Sequence, residues 1–310
     1  MSKAFVFPGQ GAQTIGMGRA LADAYPSARS VFEEVDDALD EKFSALIWEG
    51  DIETLTLTEN AQPALMATSM AAIRALEAEG VSVSDASFVA GHSLGEYSAL
   101  AAAGTFSVAD AAQLLRTRGL AMQQAVPVGQ GAMAAVLGLD FDTVTEIAAK
   151  AAEDQVCQVA NANDPTQNVV SGDKEAVERA TVLAKEAGAK RALLLPVSAP
   201  FHCALMAPAA DRMAEVLETV EVRAPIVPIV LNVAAEAVSD PAEIKQLLIR
   251  QVTGQVRWKT SVEWMVGHGV TEFWEIGAGK ALSGMIRRIA KEAATRNIGT
   301  PEDIKAALEA

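Results

Sequence analysis

An α/β fold is predicted for this chain: a mostly parallel sheet covered by helices on both faces, interrupted by a small α+β insert of ferredoxin-like pattern. Three observations predict it. Short apolar runs alternate with helix-period stretches along most of the 310 residues, the pattern of parallel strands joined by crossover helices. The apolar run at 87–90 passes through Gly91-His92-Ser93-Leu94-Gly95 into a helix-forming stretch at 96–103, giving strand, sharp turn and helix in succession. Between Pro127 and Pro196 the order becomes β, α, β, β, α, β, the split signature of a ferredoxin-like unit. The expected division is a large α/β domain in two parts, 1–126 and 198–310, with the insert domain at 127–197.

In chain order, residues 4–7 form a β-rich run that ends in Pro8-Gly9-Gln10-Gly11, a glycine-rich loop able to bring backbone donors to a ligand. That loop lacks a Gly-Lys-Ser/Thr ending and a full Gly-x-Gly-x-x-Gly fingerprint, which weakens a phosphate-cradle reading. Residues 15–57 read as helical with acidic outer faces, and Ala61-Gln62-Pro63 introduces a helix over 64–79 broken at Gly80. Ser107 is placed to cap a helix over 108–125. Within the insert, strands are expected at 133–139, 156–161, 168–171 and 191–197, and helices at 141–154 and 174–187. The larger pattern then resumes with a helix over 205–220, a buried strand at 226–232, helices from Ala242 and Trp258, a strand at 271–276 and a final helix beyond Gly279.

Hydrophobic residues make up 50% of the chain and charged residues 21%, which argues against disorder and leaves enough apolar surface for a substantial core. The formal net charge of −15 disfavours nonspecific nucleic-acid binding and requires any acidic partner to meet a local basic patch. Cys157 and Cys203 are far apart and form no metal-ligand cluster, while the first ten residues lack the charged-then-apolar pattern of a secretory signal, so a cytoplasmic enzyme is expected. Residues 192–210 carry no Asp, Glu, Lys or Arg, yet Pro196, Pro200, Pro208 and His202 would interrupt a membrane helix there, and the stretch reads as buried, irregular chain. Cys203 reads as a small buried hydrophobe rather than a second nucleophile.

In its strand-turn-helix context, Gly-x-Ser-x-Gly is a nucleophile elbow, because the flanking glycines let the backbone hold the serine in a tight, exposed turn. Ser93 is the candidate nucleophile, at a helix start where free N–H groups favour developing negative charge, with the Leu94 N–H as one oxyanion donor. A glycine-rich turn with an unimportant serine is the plainer alternative. Such a serine needs a base, and the chain has three histidines. His92 adjoins Ser93, so their side chains point apart, and it reads as a brace for the turn; His268, in Val266-Gly267-His268-Gly269, reads as a surface helix end. His202, where the chain re-enters the large domain, is the candidate base. The acids between Ser93 and His202, such as Asp140, Asp154 and Asp173, fall in the insert, which leaves a backbone carbonyl as the alternative group to orient the imidazole. Along the helix over 108–125, a step of about 100° per residue puts Arg118 on the stripe of Ala111, Leu114, Leu115 and Met122, with Arg116 on the opposite face. A guanidinium on an inward stripe is costly unless an anion meets it, and a protein carboxylate is one such partner.

Phe7-Pro8-Gly9-Gln10-Gly11, Gly91-His92-Ser93-Leu94-Gly95-Glu96-Tyr97, Arg118-Gly119 and Pro200-Phe201-His202 together resemble the malonyl-CoA:acyl carrier protein transacylase family, over essentially the whole chain. The resemblance implies a hydrolase-like large domain with a ferredoxin-like insert. It implies Ser93 as nucleophile, His202 as base, and the Gln10 and Leu94 N–H groups as the oxyanion hole. It gives Arg118 the free carboxylate of a malonyl group, held by two parallel hydrogen bonds. Gln251, in Gln251-Val252-Thr253-Gly254-Gln255, resembles the residue whose carbonyl orients the histidine, although its local sequence departs from the family's usual wording. Gln62 resembles a pocket-lining glutamine, with a plain helix-start position before Pro63 as the alternative. The expected reaction carries malonyl from malonyl-CoA through Ser93 to the phosphopantetheine thiol of holo acyl carrier protein, with no metal, redox cofactor, nucleic acid or membrane. A serine thioesterase or esterase is the competing chemistry, and a noncatalytic carrier-protein docking module the competing class. Carrier proteins of this kind are acidic, so Lys280, Arg287, Arg288 and Lys291 form the expected docking cluster, against the alternative of a solvated helix face.

Overall fold

The computed structural model describes residues 2–197 and 199–309, so Ser198, where the second part of the large domain was expected to begin, lies outside the described residues. The strands are β1 (Ser2–Phe7), β2 (Phe88–Gly91), β3 (Gly131–Leu137), β4 (Cys157–Asp164), β5 (Gln167–Asp173), β6 (Arg191–Leu194), β7 (Ile229–Val230), β8 (Ala237–Val238), β9 (Val270–Ile276) and β10 (Ala294–Ile298). One sheet has the order β10-β9-β1-β2-β7-β8 and is parallel except for the β7–β8 pair at its edge. Successive residues of β1 enter different cores: Phe5 and Phe7 join the cluster of Leu65 and Leu94, while Ala4 and Val6 join that of Trp258, Phe273 and Leu282. A strand buried on both faces is what a parallel sheet between two helical layers requires, and it is why residues 4–7 read as one apolar run.

The second sheet is antiparallel, with the order β4-β5-β3-β6. Val170 on β5 packs with the helices Phe141–Ala152 and Lys174–Glu186, whereas its neighbour Val169 packs into the large core. The insert therefore turns one sheet face to its own helices and the other to the large domain. Two main-chain bonds join β4 to the chain after Gly254, from Ala162 N–H to Val256 O (2.9 Å) and from Val256 N–H to Ala160 O (2.8 Å). Arg288 adds a 2.6 Å ion pair to the buried Asp164 of β4. Arg288 thus pairs across the seam between the domains while its side chain stays exposed, as are Lys280, Arg287 and Lys291 of the expected docking cluster.

Three expectations change. The helix expected from residue 64 runs Thr58–Ala78 with Pro63 inside it, because almost all of its first two turns is buried and packing outweighs one missing N–H bond. The strand expected over 226–232 shrinks to Ile229–Val230, with Ile226 65% exposed, since Pro225 and Pro228 have no N–H for a ladder. The helix after Gly279, Ala281–Ile289, is not the last element: β10 and a helix Pro301–Leu308 follow it.

Candidate active site

β2 ends at Gly91 and the next helix, Gly95–Ala102, begins at Gly95, with Ser93 between them at φ 52°. Neither end of this turn has room for a side chain. A Cβ on Gly91 would lie 1.9 Å from the Gly95 backbone, and one on Gly95 would lie 2.3 Å from Phe7 O. Pairing of Phe7 with Gly91 sets the Gln10 loop beside the elbow at the C-terminal end of the parallel strands, where open α/β sheets place their ligands.

Ser93 Oγ lies 2.7 Å from His202 Nε2. His202 Nδ1 faces two carbonyls, Gln251 O at 2.9 Å and Gly254 O at 3.2 Å. A carbonyl only accepts, so Nδ1 holds the proton and donates, which leaves Nε2 bare to accept the Ser93 hydroxyl. These carbonyls fix the tautomer without an acid. Burial, and next the charge of Arg118, push the imidazole down to about 3 against the hydrogen bonds it donates to the two carbonyls, so the ring is neutral.

Arg118 occupies its expected inward stripe in the helix Val108–Gln124 and is 1% exposed. Nη1 donates to Gln62 Oε1 (2.6 Å), and Nη2 donates to Gln251 Oε1 (2.8 Å) and Ser93 Oγ (3.1 Å). Among the described residues, none of these acceptors is a carboxylate, and the buried Nε has no partner. Gln10 and Leu94 line the same cleft, and neither backbone N–H has an acceptor among the described residues. The cleft encloses about 420 Å³; Gln10, Gln62, Arg118 and His202 make its polar end, and Met133, Asn161, Val169 and Leu195 make an insert-side wall.

The structure thus brings together Ser93, His202, Arg118, Gln62, Gln10, Leu94 and Gln251. His92 braces the elbow against the insert through Nε2 and Asn163 Oδ1 (2.9 Å), and His268 stacks on Trp264 at the surface. Sequence reasoning missed three polar residues here: Asn163, Asn232 and Glu96. Asn232 accepts from the Ser93 N–H (2.8 Å) and donates to Gly91 O (2.7 Å). Glu96 is 1% exposed; one oxygen accepts from the Asn232 N–H and the other from Gln251 Nε2 (2.6 Å). Burial pushes its carboxyl up to about 8, opposed by those two bonds and by Arg118. Both oxygens accept, and among the described residues neither has an acceptor to which a carboxyl proton could be given, which is the bonding pattern of the ionised form. Glu96 was visible in the elbow motif itself, three residues after the serine, whereas nothing local marks Asn163 or Asn232. Among the described residues, no group of three or more His, Cys, Asp or Glu is placed to hold a metal ion, and no helix is long and apolar enough to cross a membrane.

An elbow serine on a neutral histidine, at the strand ends of such a sheet, is an arrangement suited to acyl transfer. The chain belongs to the acyl transferase family, whose domain profile matches residues 4–292. It is 47% identical over 311 residues to the malonyl CoA-acyl carrier protein transacylase of Bacillus subtilis (strain 168), covering 100% of this chain and 97% of that one. The crystal structure of the acyl-carrier-protein-S-malonyltransferase from Bartonella henselae superposes with a TM-score of 0.98 at 57% identity, covering 100% of this chain and 99% of that one. A malonyl-transacylase in complex with its type II PKS acyl-carrier protein superposes with a TM-score of 0.97 at 42% identity, covering 100% and 99%.

Proposed function

We propose that this chain transfers a malonyl group from malonyl-CoA to the phosphopantetheine thiol of an acyl carrier protein, through an ester on Ser93, and so supplies fatty-acid synthesis. The observation that carries this reading is the buried Arg118 beside Ser93, bonded to amide and hydroxyl oxygens with no carboxylate among them. A guanidinium so placed is matched by the free carboxylate of a malonyl thioester. The names of the relatives agree with it.

In the first half-reaction the Ser93 hydroxyl passes its proton to His202 Nε2 while Oγ attacks the thioester carbonyl. Negative charge moves to the carbonyl oxygen, where the Gln10 and Leu94 N–H groups receive it. Collapse breaks the C–S bond, and the coenzyme A sulfur leaves with the proton from His202. In the second half-reaction the carrier-protein thiol gives its proton to the same nitrogen and attacks the Ser93 ester, and the proton returns to Oγ. Throughout, the Gln251 and Gly254 carbonyls hold the ring and stabilise the transient imidazolium.

Intact mass after mixing with malonyl-CoA tests the reading. A malonyl adduct that persists without carrier protein, discharges onto it, and is lost in Ser93→Ala is expected. Rapid hydrolysis makes the protein a thioesterase, and no adduct makes it a docking module.

A further inference from the structure

The polar groups that touch Ser93, His202 and Arg118 converge on one side chain. Gln251 offers its main-chain oxygen to His202 and its Oε1 to Arg118, and its Nε2 donates both to Ser93 O (2.9 Å) and to Glu96. Asn232 holds the elbow by its side chain and gives its main-chain N–H to Glu96. Glu96 is therefore the common anchor of the two residues that place the nucleophile, the base and the guanidinium. We propose that Glu96 is a positioning residue of this site: its carboxylate sets the direction of the Gln251 amide and clamps Asn232 under the Ser93 elbow.

The argument turns on the symmetry of a carboxamide. The amide of Gln251 has nearly the same shape either way round, yet only one orientation aims an oxygen at Arg118. The other orientation aims an NH2 at the guanidinium, donor against donor. An acceptor-only group facing Nε2 selects the productive orientation, and an ionised carboxylate is such a group. A glutamine at position 96 has one oxygen for two donors, Asn232 N–H and Gln251 Nε2, so one of them must lose its bond or Gln251 must turn. Glu96 also puts a negative charge near Arg118 without touching it, which leaves the guanidinium free to take a carboxylate from the cleft.

This inference rests on the acyl-transfer reading for its substrate, and its test separates the two. Glu96→Gln keeps the shape and removes one acceptor; Glu96→Asp keeps both acceptors one methylene short. Two rates are measured on the full chain: malonylation of Ser93 from malonyl-CoA, and inactivation of Ser93 by phenylmethanesulfonyl fluoride, which needs no carboxylate recognition. Glu96→Gln is expected to slow both by roughly tenfold or more, malonylation the more severely, because a misdirected buried amide costs as much as a lost charged hydrogen bond. Its urea midpoint is expected to stay close to the wild-type value, since removal of a buried charge offsets the lost hydrogen bond, and Glu96→Asp should keep more of both rates than Glu96→Gln. Unchanged rates in Glu96→Gln, a loss that merely follows a fallen urea midpoint, or Glu96→Gln outperforming Glu96→Asp would each overturn the proposal. A wild-type chain that never takes up malonyl sinks the transfer reading alone, and the sulfonyl fluoride rates still judge Glu96.

Discussion

Arg116 and Arg118 stand two residues apart on one helix, about 200° around it, and live in opposite electrostatic settings. Arg116, with a side chain 21% exposed, pairs with Glu41, donates to Asn60 Oδ1 (2.6 Å) and lies 5.0 Å over the Phe43 ring. Arg118 is buried among amide and hydroxyl oxygens. The outer arginine has an anion in direct contact, whereas the inner one touches only neutral oxygens and has the Glu96 carboxylate near it without contact. Since a buried guanidinium gains most from an anion in direct contact, the asymmetry supports the proposed binding of a carboxylate on the inner face.

The strongest way to break that contrast is Arg118→Ala. Malonyl transfer should fall by roughly a hundredfold or more, the scale of removing one partner from a buried ion pair, while acetyl transfer, which presents no carboxylate, is largely spared. Arg118→Lys should recover little, because a point charge does not reproduce the fork. Equal losses of malonyl and acetyl transfer in both variants would make Arg118 a support of the fold instead. The next effect is on pH. His202 lies at about 3, by burial first and Arg118 second, against an ordinary histidine near 6.5. The unfolded chain thus binds a proton through this window that the folded chain refuses, so His202 contributes a loss of stability as pH falls from about 6.5 toward about 3, and nothing above it. In kinetics, kcat/KM for acylation should show no titration of the free enzyme near 6.5, and Arg118→Ala should move its acid limb upward. A limb at 6.5 in the wild type would contradict the buried, neutral ring. The smallest effect belongs to the outer face: Arg116→Ala should change stability by no more than about 1 kcal/mol, read from urea midpoints, with transfer kinetics intact.

What was legible in the sequence is what is written locally. The elbow could be read because strand, glycine-flanked serine and helix follow one another within a few residues, even though the contact that forces Gly95 comes from distant Phe7, and the insert could be read because its strands and helices alternate along one continuous stretch. Arg118 could be read because one helical period relates it to Leu114, Leu115 and Met122. Other features depend on distant chain. β10 is an edge strand with only Ile298 fully buried, so it carries little apolar signal. Asn232 reaches Ser93 across 139 positions, a partnership no window can hold. Locally Glu96 is no more than an acid in a helix's first turn, and only the two donors brought from Asn232 and Gln251 give it another meaning.

Ser93 and His202 share one backbone oddity, φ of 52° and 58°, the left-handed region that side chains other than glycine enter at about 1–3 kcal/mol each. Glycine at either position would relieve that backbone strain, but only by removing the hydrogen-bonded side chain that the strain holds in place. These are also the two positions to which the proposed reaction assigns the nucleophile and the base. On that reading heat resistance in this scaffold must be found elsewhere along the chain, and the tension kept at the bottom of the cleft is a standing cost of the proposed chemistry.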